Sequence, residues 1–405
     1  MNALARAVAT MQRFNTIVRT HGAGELVRRG RNRLGTLMRT FASRPPDRLR
    51  TVVVIDEHLP MPDRDGGSAR MAEIVRLLAD AGWATGIAPL DGRALEPYAS
   101  ALYRADVDIF TGDRDLERRI REAETIWIAR PGPAGAWMRR TRALNPHARI
   151  VYDTVDLHHV RERRRDAHRG VQSDVDLTLA HETAAIREAD VTVVVSEAER
   201  TVVEALGARA TLVIPTLQHP IEDPPGYAPR AGLLFVGSFD HEPNLDAALY
   251  LAREIMPRVR ERAPLALVIA GSNPPPQVRA LASESIDVRG HVPDLDPLLR
   301  RARLALAPLR FGAGLKAKVT QSFGYGLPVI GTSIAAEGFE GAARDAIVVA
   351  DDPDAYAEAI LIAYAGEAHW NALATAARAA ATAYAPATVL PTVLAAVSSD
   401  GNKST

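Results

Sequence analysis

Cysteine is absent from the 405 residues of this chain. That excludes disulfides, thiolate metal sites and a cysteine nucleophile, and it fits a cytoplasmic compartment. Aromatic residues make up only 5%, so the cores must be built from aliphatic side chains. No uninterrupted apolar run approaches the roughly 18 residues that a membrane-spanning helix needs, and the first residues lack the apolar centre of a signal peptide. Net charge is missing too: 49 basic and 49 acidic residues cancel, which removes any overall bias toward nucleic acid. The cancellation is uneven, because residues 1–50 hold eleven arginines against Glu25 and Asp47, a surplus of +9. Lysine is scarcer than any other charged type, occurring only as Lys316, Lys318 and Lys403. Arginine serves wherever a generic positive charge will do, and two of the three lysines share one short segment, Gly312-Ala-Gly-Leu-Lys316-Ala-Lys318.

The surroundings of that segment are informative. A strand-like run, Leu304 to Pro308, leads into a glycine-rich turn, and a helical pattern follows through Leu315, Val319 and Phe323. Lysines in the first turn of a helix face the positive end of its dipole, an unfavourable placement by roughly 0.3–1 kcal/mol. An anion bound at that terminus reverses the sign, because free backbone N–H groups and lysines would then point at it together. The segment reads as a phosphate or diphosphate site. Two solvated lysines at a surface helix end are the plain alternative.

At this length two domains are expected. Residues 1–50 form a basic, partly helical extension, with Leu4, Val8, Met11 and Val18 at helical spacing and a break at Arg44-Pro-Pro-Asp47. Such an arm suits peripheral contact with an anionic membrane or docking on a partner; it equally suits packing on the body of the protein. From Thr51 strands and helices alternate: Thr51–Ile55, Trp83–Ala88, Thr125–Ala129, Arg149–Asp153 and Val191–Val195 read as strands. Ser196-Glu-Ala-Glu199 reads as a capping box. Proline-rich residues 217–229 read as a linker. The alternation restarts at 230 with strands at Leu233–Val236, Leu265–Ala270, Ile286–Val288, Leu304–Ala307, Pro328–Gly331 and Ile347–Val349, and two helices close the unit by 385. Residues 386–405 are a terminal segment with a disordered polar tail. The pattern predicts an α/β protein of two doubly wound, Rossmann-like domains, 51–216 and 230–385, facing a cleft.

In open parallel sheets, ligands bind beyond the carboxyl ends of the strands. That rule selects five loops: Asp56 to Ser68 with Gly66 and Gly67; Tyr152-Asp153-Thr-Val-Asp156-Leu-His158-His159; Gly237 to Asn244 with His241; Arg310 to Lys318; and Thr332 to Gly338 with Glu337. Two carboxylates and two imidazoles at the end of one strand exceed what a turn requires, so Asp156 and His158 are the candidate catalytic pair, with Asp153, Gly66 and Gly67 on the acceptor side. One member of the pair would serve as base toward an acceptor hydroxyl. Asp-x-Asp pairs at 106/108, 174/176 and 294/296 are too common in an acid-rich chain to argue for a metal, and none is expected. Arg161-Glu-Arg-Arg-Arg165 reads as a solvated helix face.

Several of these segments together resemble the two-domain GT-B glycosyltransferases of the family 4 type. They are Ala307 to Lys318 with Gln321-Ser-Phe-Gly-Tyr-Gly-Leu-Pro-Val and Ala335-Ala-Glu-Gly338; Phe235-Val-Gly-Ser-Phe with His241 and Pro243-Asn244; Gly290-His-Val-Pro-Asp294; and Tyr152 to His158. The resemblance spans about Thr51 to Tyr384. It implies a nucleotide-sugar donor on the second domain, an acceptor on the first, no cofactor, retention at the anomeric carbon, and a glycan or lipid-linked acceptor in envelope polysaccharide assembly. It places Gly237, His241, Asn244, Arg310, Gly312, Gly314, Lys316, Lys318, Gln321 and Glu337 at the donor. The chain departs from the family at three points. Gln321 stands where the second of two glutamates is usual, no acid lies between Arg303 and Glu337, and His241 to Asn244 replaces the usual basic pair. Two rivals remain: a sugar-nucleotide epimerase on the same scaffold, and a non-catalytic nucleotide-sugar binder.

Overall fold

A computed structural model describes residues 50–398. The basic extension and the polar tail, with the expectations made for them, lie outside that range. From Arg50 onward the chain forms one compact unit built on two sheets.

The first sheet has seven parallel strands: β1 Thr51–Asp56, β2 Ala84–Pro89, β3 Asp108–Ile109, β4 Thr125–Ala129, β5 Arg149–Asp153, β6 Val191–Val194 and β7 Thr211–Val213, in spatial order 3-2-1-4-5-6-7. The second has six, β8 Leu233–Val236, β9 Leu267–Ala270, β10 Ile286–Arg289, β11 Leu304–Ala307, β12 Val329–Gly331 and β13 Ile347–Val349, in order 10-9-8-11-12-13. Both are covered by helices on their two faces, which is why strands such as Thr51-Val-Val-Val-Ile-Asp56 are apolar without alternation. Each sheet reverses its winding once, between β1 and β4 and between β8 and β11. Crevices open at those two points.

The helix Gly66–Asp80 shows how a local signal becomes packing. Asp65 caps it by accepting a hydrogen bond from Ser68 N at 2.8 Å, and Met71, Ile74, Val75 and Leu78 recur at a spacing of three to four to fill the first core. The helix that follows β8 is compound. It runs Glu242–Tyr250, widens into a π turn at Leu251–Ile255 and continues as Met256–Arg260, the wide turn falling just ahead of Pro257, which has no N–H to give.

Strands β3 and β7, of two and three residues, are too short to leave a periodic signal. A larger omission lies near the end of the chain, where the terminal segment, assigned no element from the sequence, opens with the helix Pro386–Val397. Its Val389, Val393, Ala396 and Val397 complete the core of the first sheet, Thr125 Oγ1 donates to Val397 O at 2.8 Å, and Arg149 Nε donates to Ala396 O at 2.8 Å. The helical stretch Glu367–Val397 is, by length and composition alone, long and apolar enough to cross a membrane. In the fold its Trp370, Leu373, Ala374 and Ala377 pack in the core of the second sheet. The stretch therefore straps one half to the other.

Candidate active site

The two crevices face each other, and helix N-termini meet between them. Gly66 begins the helix Gly66–Asp80 after β1, and Ala317 begins the helix Ala317–Gly324 after β11. They are so close that a Cβ placed on Gly66 would lie 2.4 Å from the Cβ of Ala317. Gly67 is confined in the same way, with Arg130 Nη2 and Val155 Cγ1 each 3.0 Å from where its Cβ would be. A Cβ on Gly314, which holds φ +70°, would meet Asp156 Cβ at 2.9 Å. Two positive helix ends thus converge, one of them capped by Asp65, an arrangement that suits a bound phosphate.

Lys316 stands at this junction as the N-cap of Ala317–Gly324 and is only 8% exposed. Its ammonium donates to the carbonyls of Ala313 (3.3 Å) and Gly314 and makes no ion pair among the described residues. Burial pushes its pKa down to about 8, against the pull of Glu337 and Glu199. Lys318 points elsewhere, as residues two apart on a helix must. It lies over the Phe235 ring at 4.4 Å and donates to Asn244 Oδ1 at 2.5 Å. Burial, with the nearby charge of Lys316, lowers it to about 7. Lys316 therefore faces the cleft, and Lys318 lies behind it, against the second sheet.

Across the cleft, the loop after β5 carries Asp156 and His158. Burial would raise Asp156, but the His158 ring, the Arg161 guanidinium and the more distant His241 outweigh it and hold the carboxylate well below its usual range. His158 Nε2 is 3.3 Å from Asp156 Oδ1, in a geometry that forms no hydrogen bond, and it has no other partner. Arg161 Nη1 donates to Asp156 Oδ2 at 2.5 Å. The lowered pKa favours the Asp156 carboxylate and makes it a poor base, whereas His158 Nε2 is buried without a hydrogen-bond partner among the described residues.

The remaining expected residues divide. Asn244 is buried and bonded both to Lys318 and to Ser238 O (2.8 Å), and Gly237 lacks a Cβ because Asn244 Cγ would lie 2.6 Å from it. His241 precedes the helix Glu242–Tyr250 with part of its ring in solvent. Desolvation by the cleft walls, helped by Arg161, Lys318 and Lys316, pushes it down to about 4 despite Asp156. Gln321 is half-buried and has no hydrogen-bond partner among the described residues. Gly312 offers its carbonyl to Arg164 Nη1 at 2.8 Å.

Three residues lie differently from expectation. Asp153 is fully buried beneath the cleft, where it accepts from Arg70 Nη1 at 2.7 Å and Trp127 Nε1 at 3.1 Å, so it offers nothing to an acceptor. Arg310 turns aside to pair with Asp246 through Nε at 2.8 Å and Nη2 at 2.5 Å, over the Tyr250 ring. Glu337 accepts a two-pronged pair from Arg164, both contacts at 2.6 Å, and so joins the halves. That pair also corrects the reading of residues 161–165 as a solvated face. Arg161 and Arg164 point into the cleft, Arg165 binds Asp166, and Arg163 alone is exposed.

Other groups escaped the sequence reading. Asp56 and Arg130 occupy the first crevice, with Arg130 Nε donating to Asp56 Oδ1 at 2.9 Å. Burial raises the Asp56 carboxyl to about 6 even beside that guanidinium. Arg130 (φ 72°) and Val155 (φ 61°) hold backbone angles that non-glycine residues rarely adopt, at a cost of roughly 1–3 kcal/mol each. The rule of strand carboxyl ends points to Arg130, which directly follows β4, but no glycine pattern flags it. Beside β9 and β10 an open groove of about 530 Å³ is lined by Asn273, Pro274, Arg279, Val288, Gly290 and His291.

Residues 230–365 match the family described as Glycosyl transferases group 1. Among curated proteins, none matches the chain. The fold is shared with solved structures of low identity. A sucrose-phosphate synthase from Thermosynechococcus elongatus is 15% identical with a TM-score of 0.64, the match covering 84% of this chain and 96% of that one. Anabaena HepE, solved with UDP and glucose, is 13% identical with a TM-score of 0.66, covering 85% and 98%. A glycosyltransferase from Rickettsia africae is 13% identical with a TM-score of 0.65, covering 87% and 100%. Residues 230–365 thus carry a domain of the Glycosyl transferases group 1 family, on two facing Rossmann-like halves whose fold is that of these solved GT-B structures.

Proposed function

We propose that the protein transfers a sugar from a nucleoside-diphosphate donor, held on the second half, to a hydroxyl of a glycan or lipid-linked acceptor on the first. The observation that carries this reading is Lys316: a buried ammonium without a carboxylate partner among the described residues, placed where two helix N-termini converge. A bound anion suits that geometry, and a diphosphate leaving group would develop its charge there as the glycosidic bond breaks. No cofactor enters the reaction, since lysine and backbone dipoles meet the charge. The groove beside β9 and β10 has room for the base. HepE, solved with UDP and glucose, supports uridine diphosphate as the first nucleotide to test.

Asp156 remains ionised at working pH and stabilises positive charge on the sugar ring, the role left open by Gln321. His158 takes the acceptor proton at Nε2. A base there serves inversion, whereas the family resemblance implies retention; the coupling of the anomeric proton in the product separates the two. Envelope polysaccharide assembly at the cytoplasmic face of a membrane is the setting this reading favours, with residues 1–50 as a peripheral contact. Sedimentation with anionic vesicles, with and without those residues, tests the contact.

The central experiment incubates the protein with a panel of nucleotide sugars and follows nucleotide release with and without acceptor extract. Release that depends on acceptor supports transfer. Conversion of the donor alone to a ring epimer would replace transfer by epimerisation, and binding without turnover would make the protein a nucleotide-sugar binder.

A further inference from the structure

Five carboxylates are buried among the described residues: Asp56, Asp153, Asp166, Glu182 and Glu199. Four have a basic side chain within ion-pair distance: Arg130 beside Asp56, Arg70 beside Asp153, Arg165 beside Asp166 and the His159 ring beside Glu182. Glu199 has none. Its carboxylate instead accepts two backbone N–H groups from different loops, Leu157 N at 3.2 Å and Val195 N at 3.3 Å. The next two N–H groups of the same segment, His158 N (2.9 Å) and His159 N (3.0 Å), go to Glu182. Three consecutive N–H groups at the start of the helix His158–Arg169 are therefore taken by two buried glutamates from two other helices. A helix start of this kind would otherwise attract the donor's phosphates. Here it is closed, and the side chains flanking it, Asp156 and His158, are aimed by that closure.

Glu199 departs from the capping box read in the sequence. Ser196 Oγ does accept from Glu199 N at 3.3 Å, but the glutamate side chain passes over the cap's own N–H to reach Leu157. Gly338, from the second half, leans on the same cap, so closely that a Cβ there would lie 2.9 Å from Ser196 Cβ. The buried Tyr152 hydroxyl beneath this cluster has no partner.

We infer that Glu199 is a positioning residue for the transfer: as a carboxylate it fixes the Asp156–His158 loop against the end of β6, and when protonated it lets that loop go. The inference rests on the reading of Asp156 and His158 as the acting groups. A neutral carboxyl gives up part of its accepting capacity, and its contact with Leu157 N or Val195 N weakens. The groups facing it are Tyr152, Asp156, Arg164 and Lys316. Burial, then the charge of Asp156, raises Glu199 to about 7 against the pull of the two N–H donors and Lys316. The switch thus falls near neutrality, with the fixed loop on the alkaline side.

Two measurements on the full chain test this. In the first, the pH dependence of kcat is compared for native protein, Glu199→Gln and Glu199→Asp, using the donor chosen by nucleotide release. Native kcat should rise through pH 7. Glu199→Gln should lose that rise and fall about tenfold with little change in donor KM, and Glu199→Asp should keep a weakened rise. In the second, the His158 ring carbon is followed by NMR in histidine-labelled protein, assigned by its loss in His158→Gln. Glu199→Gln should move this resonance while the melting temperature holds. A native pH profile in Glu199→Gln, or a His158 resonance that ignores the substitution, overturns the proposal. If no donor turns over, the proposed function fails, and the resonance still decides the role of Glu199.

Discussion

Gly66→Ala places one methyl group at the closest approach of the two halves. The new Cβ would lie 2.4 Å from Ala317 Cβ, and both atoms are fixed to helix backbones, so neither can rotate aside. Two such carbons rest at about 3.5–4.0 Å, which asks the helix starts to separate by roughly 1.1–1.6 Å. Gly66 is not held at a positive φ, so alanine adopts its backbone without strain and gains up to about 1 kcal/mol of helix propensity. Overpacking costs about 1–3 kcal/mol. Each sheet has its own core, so the penalty falls on closure of the cleft rather than on folding. A net loss of about 1–2 kcal/mol predicts UDP binding weaker by roughly 5- to 30-fold, with an unchanged melting temperature. Calorimetric titration with UDP measures it. The rescue is specific: adding Ala317→Gly removes the opposing methyl and leaves Ala317 Cα as the nearest atom, at an ordinary 3.9 Å. Native UDP affinity in Gly66→Ala, or failure of Ala317→Gly to restore it, would refute the contact and with it the placement of the donor between these helix starts.

Lys316→Ala should weaken UDP binding by roughly 10- to 150-fold, the equivalent of one charge-assisted hydrogen bond, without lowering the melting temperature, because a desolvated charge is removed. Lys318→Ala also removes a desolvated charge, but it strips the side-chain partner from Asn244 and the contact from the Phe235 ring, losses that Lys316→Ala does not incur, so its melting temperature should be the lower of the two; thermal denaturation of the two variants side by side checks both. Burial puts the lysines at about 8 and about 7, so UDP affinity should decline as pH rises from 7 to 9, where an ordinary lysine would still be charged. The same depression means that the unfolded chain holds more protons than the folded one from about pH 7 to the unfolded lysine value near 10.4, so the lysine contribution to unliganded stability should rise with pH across that window. Urea titrations at pH 7 and 9, with Lys316→Ala and Lys318→Ala as references, read it. Arg164→Ala leaves Glu337 without its two-pronged partner and Gly312 O without a donor, and should raise donor KM about three- to tenfold with a smaller effect on kcat.

The sheets were legible because their strands are buried on both faces and read as apolar runs, bounded by glycine and proline. The short strands β3 and β7 carry no such run, and the helix Pro386–Val397 hides behind a proline start and Pro391. Within the site, Gly66, Gly314 and Lys316 could be found because loop glycines and a scarce lysine stand out against their background. Asp153 could not be separated from Asp156, since both follow the same strand, and only the positions of Arg70 and Trp127 show which one is buried. Arg164 and Glu199 looked like a solvated arginine and a helix cap. Their roles depend on partners such as Glu337 and Leu157, and no local pattern encodes a contact across a cleft.

The helix Pro386–Val397, which completes the first core, is made about 170 residues after the last strand of that core, β7. At the usual pace of synthesis, on the order of 5–20 residues per second, that is a gap of roughly 10–30 s. Through that interval the second half can close on its own helices, while the first waits with the apolar surface beside Gly66–Asp80 uncovered. The half that emerges first is therefore the half that finishes last, and in the cell the hazard for this chain is a partner that covers Met71 and Ile74 before Val389 and Val393 arrive.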